Sequence, residues 1–210
     1  VMLVDNYRCQ QQVIDAAEHL VKGTPAIAGK KARASGPAAE LPGSPVKVFD
    51  RDEAALGETL MEHYQRGETV MMLYRKGSDR ALMNEHLQSV LHAEAALPAE
   101  QRRLRQLTYH SAKGLQADAV FMLGDCQYLT SSPYKNQVYR QAGLGKAGDA
   151  QPFDTAQKEE VQRLAYVAVT RAVQHCYWHV EAANADAAVA SRASSQVDGR
   201  QAFFEDLRGQ

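Results

Sequence analysis

Thr69-Val70-Met71-Met72-Leu73-Tyr74 decides the fold. It is a continuous apolar run following Gly67, the signature of a strand buried on both faces. Just upstream, Asp52–Arg66 reads as a helix with Asp52 at its N-cap and Leu56, Leu60 and Tyr64 facing inward; Gly67 ends it. Val46–Phe49 reads as the strand before that helix. Downstream come a helix over Ser78–Leu91, capped by Ser78 or Asp79, and two strands, Leu104–Tyr109 and Ala119–Leu123, around a glycine-bearing turn. Strands alternating with helices predict an α/β fold, a parallel sheet sandwiched by helices in three layers.

The outer segments extend the pattern. Val1–Val4 reads as a short strand and Cys9–Val21 as a helix with Val13, Ala16, Ala17 and Leu20 on one face. Gly23–Pro45, rich in Gly, Pro, Ala and Ser, reads as a loop. Asp125–Thr155 is a polar, irregular excursion. Ala156–Ala172 reads as a helix, His175–Val180 as a strand, and Arg200–Leu207 as a short closing helix. The apolar opening at Val1 suggests a segment of a longer polypeptide, with residues 1–210 forming one domain.

Composition narrows the function. The chain has 210 residues, 45% hydrophobic and 23% charged, with a formal net charge of -1. Global attraction to nucleic acid is excluded at that charge, although one basic strip is compatible with it. No apolar run approaches the roughly 20 residues of a membrane span, so no membrane partner is expected. Three cysteines, Cys9, Cys126 and Cys176, without a CxxC pair fit a reducing, cytoplasmic setting. The phosphate-loop pattern GxxxxGK followed by Ser or Thr is absent, so this chain by itself lacks that kind of ATP-cleaving centre.

In parallel α/β folds chemistry sits in loops at the carboxyl ends of strands, and three segments are expected there. Asn6-Tyr7-Arg8 reads as a packed aromatic beside a solvated arginine, or as a guanidinium aimed across an interface at a phosphate. His110-Ser111-Ala112-Lys113-Gly114 reads as a capped turn with a solvated lysine, or as a turn that meets an anion; Gly114 permits a positive φ. Tyr166 through Arg171 ends a helix whose last two turns are apolar. A terminal cation suits the helix dipole, and buried β-branched neighbours also fit a helix end presented at a surface. His175 and His179 flank Tyr177 on one strand face, but two histidines without a third ligand are a poor metal signal, so no metal is expected. Cys126 has no base near it in sequence and is not read as a nucleophile.

Taken together, VDNYRCQQQVIDAAEHLV, VMMLYRKGSDRALMNEHL, LTYHSAKGLQADAVFMLGD and EEVQRLAYVAVTRA, in this order, resemble motif IV, the strand-helix unit after it, motif V and motif VI of superfamily-1 DNA helicases of the UvrD/Rep kind. GRQAFFEDL is similar to that family's closing segment.

The resemblance implies the second RecA-like motor domain of an ATP-dependent helicase or translocase. ATP would lie in the cleft against a first motor domain of the same polypeptide, which carries the Walker motifs and holds most of the Mg2+ contacts. Arg8 and Arg171 would act catalytically on the γ-phosphate; Tyr7, Gly114 and Gln116 would border the nucleotide. His110, Ser111, Lys113 and Thr170 would couple it to single-stranded or partly duplex DNA. A nucleoid-associated place in the cytoplasm would follow. The fragment alone is expected to be inactive.

Three departures stand out. Gln116 replaces the glutamate that in the family holds the ribose. Residues 88–103 leave no room for the accessory subdomain that many relatives insert there. The 125–155 excursion is longer than a simple member needs. A non-catalytic helicase-like module that docks DNA or protein is the alternative.

Overall fold

In a computed structural model of the chain, the described residues are 4–21, 31–50, 52–124 and 132–180. Their elements, in chain order, begin with β1 (Asp5–Asn6), α1 (Gln11–Leu20), β2 (Arg33–Ala34), α2 (Pro37–Glu40), β3 (Lys47–Asp50) and α3 (Glu53–Gln65). Next come β4 (Val70–Tyr74), α4 (Gly77–Ala81), α5 (Asn84–Ala95), β5 (Leu104–Thr108) and β6 (Ala117–Leu123). The last are α6 (Pro133–Gln141), α7 (Pro152–Val169) and β7 (Ala172–Val180). The main sheet has the order β3-β7-β6-β4-β5 and every pairing in it is parallel.

Alternation along the strands separates two cores. Met71 and Leu73 of β4, Val120 and Met122 of β6, and Cys176 and Trp178 of β7 pack with Val13, Ala17, Leu164 and Ala168 of α1 and α7. Val70, Met72, Ala119, Phe121 and Tyr177 pack on the other side with Leu56, Leu60 and Leu87 of α3 and α5. Both faces of β4 are therefore dry, which is why Val70–Leu73 carries no polar residue. The architecture is the three-layer α/β sandwich of RecA-like domains.

Trp178 anchors one core. It is 1% exposed, and its indole N–H donates to the Gly124 carbonyl at 2.8 Å. Trp178→Ala would leave a large void and strip a buried carbonyl of its donor, so we expect a loss of about 3–5 kcal/mol. A lowered urea midpoint at unchanged slope reads it.

The periphery corrects several expectations. Residues 1–3 and 200–207 lie outside the described residues, and Val4 is not in a strand. The first ladder instead pairs Asp5 and Asn6 with Arg33 and Ala34 in a separate two-stranded sheet. The segment read as a loop thus supplies β2 and α2. It stays because Asp5 accepts from Arg33 Nε at 2.6 Å and from Ser35 Oγ at 3.0 Å. The Ser78–Leu91 helix is two helices, and Met83 at the break is fully buried against α3. The N-cap of the first is Lys76 rather than Ser78 or Asp79; Asp79, at the third helical position, reaches back to accept the Lys76 N–H at 3.0 Å. Asp52 caps α3 as expected, accepting from Ala55 N at 3.0 Å.

The 125–155 excursion contains a helix. Ser132 caps α6 with Pro133 behind it, and buried Asn136 ties α6 to α7 by accepting from Phe153 N and donating to Asp154, both at 2.9 Å. The last long helix starts at Pro152 rather than 156 and yields to strand at Ala172. Between α5 and β5 the chain makes only a short turn around Ala99–Gln101. Among the described residues no helix is long and apolar enough to cross a membrane.

Candidate functional site

The connection from β5 to β6 organises the site. These strands are parallel and β4 lies between them, so residues 109–116 must return from the carboxyl end of one to the amino end of the other. The chain does this without a helix, through turns over 109–114 and two residues outside any regular element. Tyr109 and Ala112 are fully buried beneath it, on the α1/α7 side of the sheet. Tyr109 N donates to Tyr74 O at the carboxyl end, and Ala117 N donates to Arg171 O at the amino end. Gly114 has φ +88°, open to glycine and costly for other residues, as the sequence suggested.

The three candidate segments are therefore not all at carboxyl ends. Arg171 follows α7 and opens β7, Gln116 opens β6, and Asn6-Tyr7-Arg8 follows the small sheet; these gather at the amino ends of β6 and β7. The reason is topological: a helix that feeds a parallel strand delivers its last residues to that strand's beginning.

There Tyr7, Arg8, Gln116, Tyr166, Thr170 and Arg171 line one groove of about 610 Å3. Asn6 shapes its entrance, its side-chain carbonyl accepting from Arg8 N at 2.9 Å and Cys9 N at 3.1 Å. Ala32, Pro37, Ala38 and Leu41, from the stretch read as a loop, form another wall. Nothing in that stretch's periodicity signalled the role. Tyr7 is 69% exposed.

Arg171 is half-buried, and its guanidinium donates to Val167 O at 2.9 Å, Leu115 O at 3.2 Å and Thr170 Oγ1 at 3.3 Å. Thr170 Oγ1 in turn donates back to Tyr166 O and Val167 O, so the helix end orients the arginine. Burial and then the neighbouring Arg8 charge pull the Arg171 pKa down. Burial pushes the Cys9 thiol up; it sits beneath, donating to Thr170 O at 3.4 Å. Arg8 has no side-chain hydrogen bond or ion pair among the described residues. Asp5, the one carboxylate of the groove among them, is held by Arg33, which lowers its pKa. Two guanidinium groups thus share a groove with neither paired to a carboxylate.

His110 and Ser111 are at the far end of the return segment. The His110 ring lies 3.2–3.3 Å from Arg75 Nη1, and its Nε2 is 3.5 Å from Glu160 Oε1. Ser111 does not cap the turn by itself: Thr108 Oγ1 accepts the Ser111 N–H at 3.2 Å and pairs with its hydroxyl at 2.7 Å. Lys113 is exposed, with no partner among the described residues. One connection therefore touches the groove through Gln116 and the opposite end of the sheet through His110.

On the other face, the structure gives His175 the neighbours its sequence did not show. His63 and Glu68 lie beside it, while His179 points to Glu53 at 3.1 Å, with its Nδ1 buried and unpaired. Cys126 lies outside the described residues.

By class, a parallel five-stranded sheet between two layers of helices is the RecA-like fold. The chain belongs to the UvrD-like helicase C-terminal domain family, whose model matches residues 58–179, more than half of it. That match includes the 110–116 and 166–171 segments and begins beyond Arg8. The C-terminal domain of a possible DNA helicase from Lactobacillus plantarum WCFS1 is 16% identical, at a TM-score of 0.45, over 88% of this chain and 96% of that one. No curated protein matches the sequence.

Proposed function

We propose that the groove is this domain's half of an ATP site, completed by a companion motor domain, and that the assembly is an ATP-driven DNA helicase or translocase. One observation carries the reading: Arg8 and Arg171 line one groove, and among the described residues no carboxylate neutralises either of them. Two like charges held together in a half-buried place repel each other, and a polyphosphate relieves that repulsion. Guanidinium forks match phosphoryl oxygens in pairs and stabilise the charge that grows on them during hydrolysis.

The other lining residues fit a nucleotide. Exposed Tyr7 offers a flat face beside the base, and the Gln116 amide donates to and accepts from a ribose hydroxyl without charge. Mg2+ belongs with the companion domain, since the described lining offers only the already paired Asp5. When Arg171 turns to phosphate it gives up the Leu115 carbonyl, which anchors the end of the return segment. That exchange is the route by which nucleotide occupancy reaches His110, Ser111 and Lys113, where single-stranded DNA would run. Opening and closing of the cleft between the two domains would then advance the strand.

The residues 1–210 alone should show no ATP turnover above background, and a companion domain bearing a phosphate loop should restore it. A steady turnover by the isolated chain that survives Arg171→Ala would refute the shared site.

A further inference from the structure

The α3 face of the sheet holds a second cluster, on the opposite face from α1 and α7 and independent of the helicase reading. His63 near the end of α3, Glu68 in the turn to β4, and His175 on β7 each place one ligand atom within 4.8 Å of the others. His63 is 1% exposed. The second nitrogen of each ring is held by a hydroxyl: His63 Nε2 lies 2.7 Å from Tyr177 Oη, and His175 Nδ1 lies 2.9 Å from Ser44 Oγ. An N–H donated to an outer oxygen turns the remaining lone pair inward, the usual second-layer arrangement around metal-binding histidines.

The inner contacts are over-subscribed. Glu68 Oε2 presses on His63 Nδ1 at 2.6 Å and Arg66 Nη2 on the same nitrogen at 2.7 Å, while Arg66 Nε reaches Glu68 Oε1 at 2.9 Å. One ring nitrogen carries either a proton or a lone pair. A proton serves the carboxylate and meets the guanidinium as a fellow donor; a lone pair serves the guanidinium and faces the carboxylate as a fellow acceptor. A cation bound to Nδ1 and Glu68 together satisfies both. Arg66, half exposed, already stands there as a cation and is free to swing into solvent.

We propose that His63, Glu68 and His175 bind one zinc ion, with water as the fourth ligand. Two neutral imidazoles and one carboxylate are a zinc-type donor set; tetrahedral bonds of about 2.0–2.2 Å set ligand atoms roughly 3.3–3.6 Å apart, so the His63–Glu68 pair opens from 2.6 Å while separations of up to 4.8 Å close. The ion would staple the end of α3 and the α3–β4 turn to β7. The sequence hid it because Glu68 and His63 lie more than a hundred residues from His175.

After chelator treatment, the chain is titrated with zinc chloride by calorimetry and with cobalt(II) chloride by visible absorption. We expect one saturable equivalent, the d–d bands of tetrahedral cobalt, and a higher melting temperature with zinc. Glu68→Gln should weaken affinity by at least about 10- to 100-fold at unchanged circular dichroism. Arg66→Ala should tighten it several-fold by removing the competing cation. The absence of saturable uptake overturns the site, as does uptake that neither Glu68→Gln nor His175→Ala alters. So does an Arg66→Ala variant that only loses stability, since the network is then a self-sufficient ion pair.

Discussion

Arg171→Ala, introduced into a protein that contains the companion motor domain, is expected to lower ATP turnover by about 10³–10⁵, the usual worth of an arginine finger. That corresponds to roughly 4–7 kcal/mol of barrier. ATP binding, read by a fluorescent analogue, should change by less than about tenfold, because the charge that Arg171 meets grows mainly in the transition state. Arg171→Lys should recover little. The guanidinium donates in three directions at once, to Val167 O, Leu115 O and Thr170 Oγ1. An ammonium on a flexible stem has no planar fork that the helix end can orient while it turns from the Leu115 carbonyl to a phosphate. Folding should survive, because the carbonyls left behind are near the surface and water replaces the donor. A turnover within tenfold of the parent would remove Arg171 from the reaction.

The central sheet was legible because burial on both faces leaves a run such as Val70–Leu73 no polar alternative. Leu56, Leu60 and the Asp52 cap of α3 were legible for the same kind of reason, a local pattern with one physical meaning. The edges were not. Pro133–Gln141 buries little apolar surface, and what fastens it is the Asn136 side chain bonding into α7, a long-range polar contact that no periodicity betrays. Met83 breaks an apparently continuous helix because a fully buried pocket against α3 outweighs the helical preference of its neighbours.

At the site, residue types were readable but their place was not. Arg8, Arg171 and Gln116 came from three segments matched to motifs, yet only the strand order sets them at the amino ends of β6 and β7. The Leu115 carbonyl that Arg171 holds is backbone and carries no residue signature. His110, Ser111 and Gln116 are near neighbours in sequence, and the return across β4 carries Gln116 to the groove and leaves the other two at the opposite end.

Arg8→Ala is the sharper test of the pair. We expect turnover to fall by the same order as for Arg171, because the two groups address one phosphoryl charge. Residues acting as a unit are strongly non-additive. Arg8→Ala with Arg171→Ala should therefore fall no more than about tenfold below the worse single variant. Losses that multiply across the double variant would show two independent contributions and dissolve the shared pocket. Stability separates this from a structural role. Arg8 makes no side-chain bond among the described residues, and its charge lowers the Arg171 pKa, so in the empty groove it opposes its neighbour. Removing it should leave the melting temperature unchanged or slightly raised, within the roughly 0.5 kcal/mol of an ordinary surface change. A side chain whose loss abolishes turnover while the fold gains or stays level is placed for a ligand, since nothing among the described residues of the unliganded domain requires a second cation there.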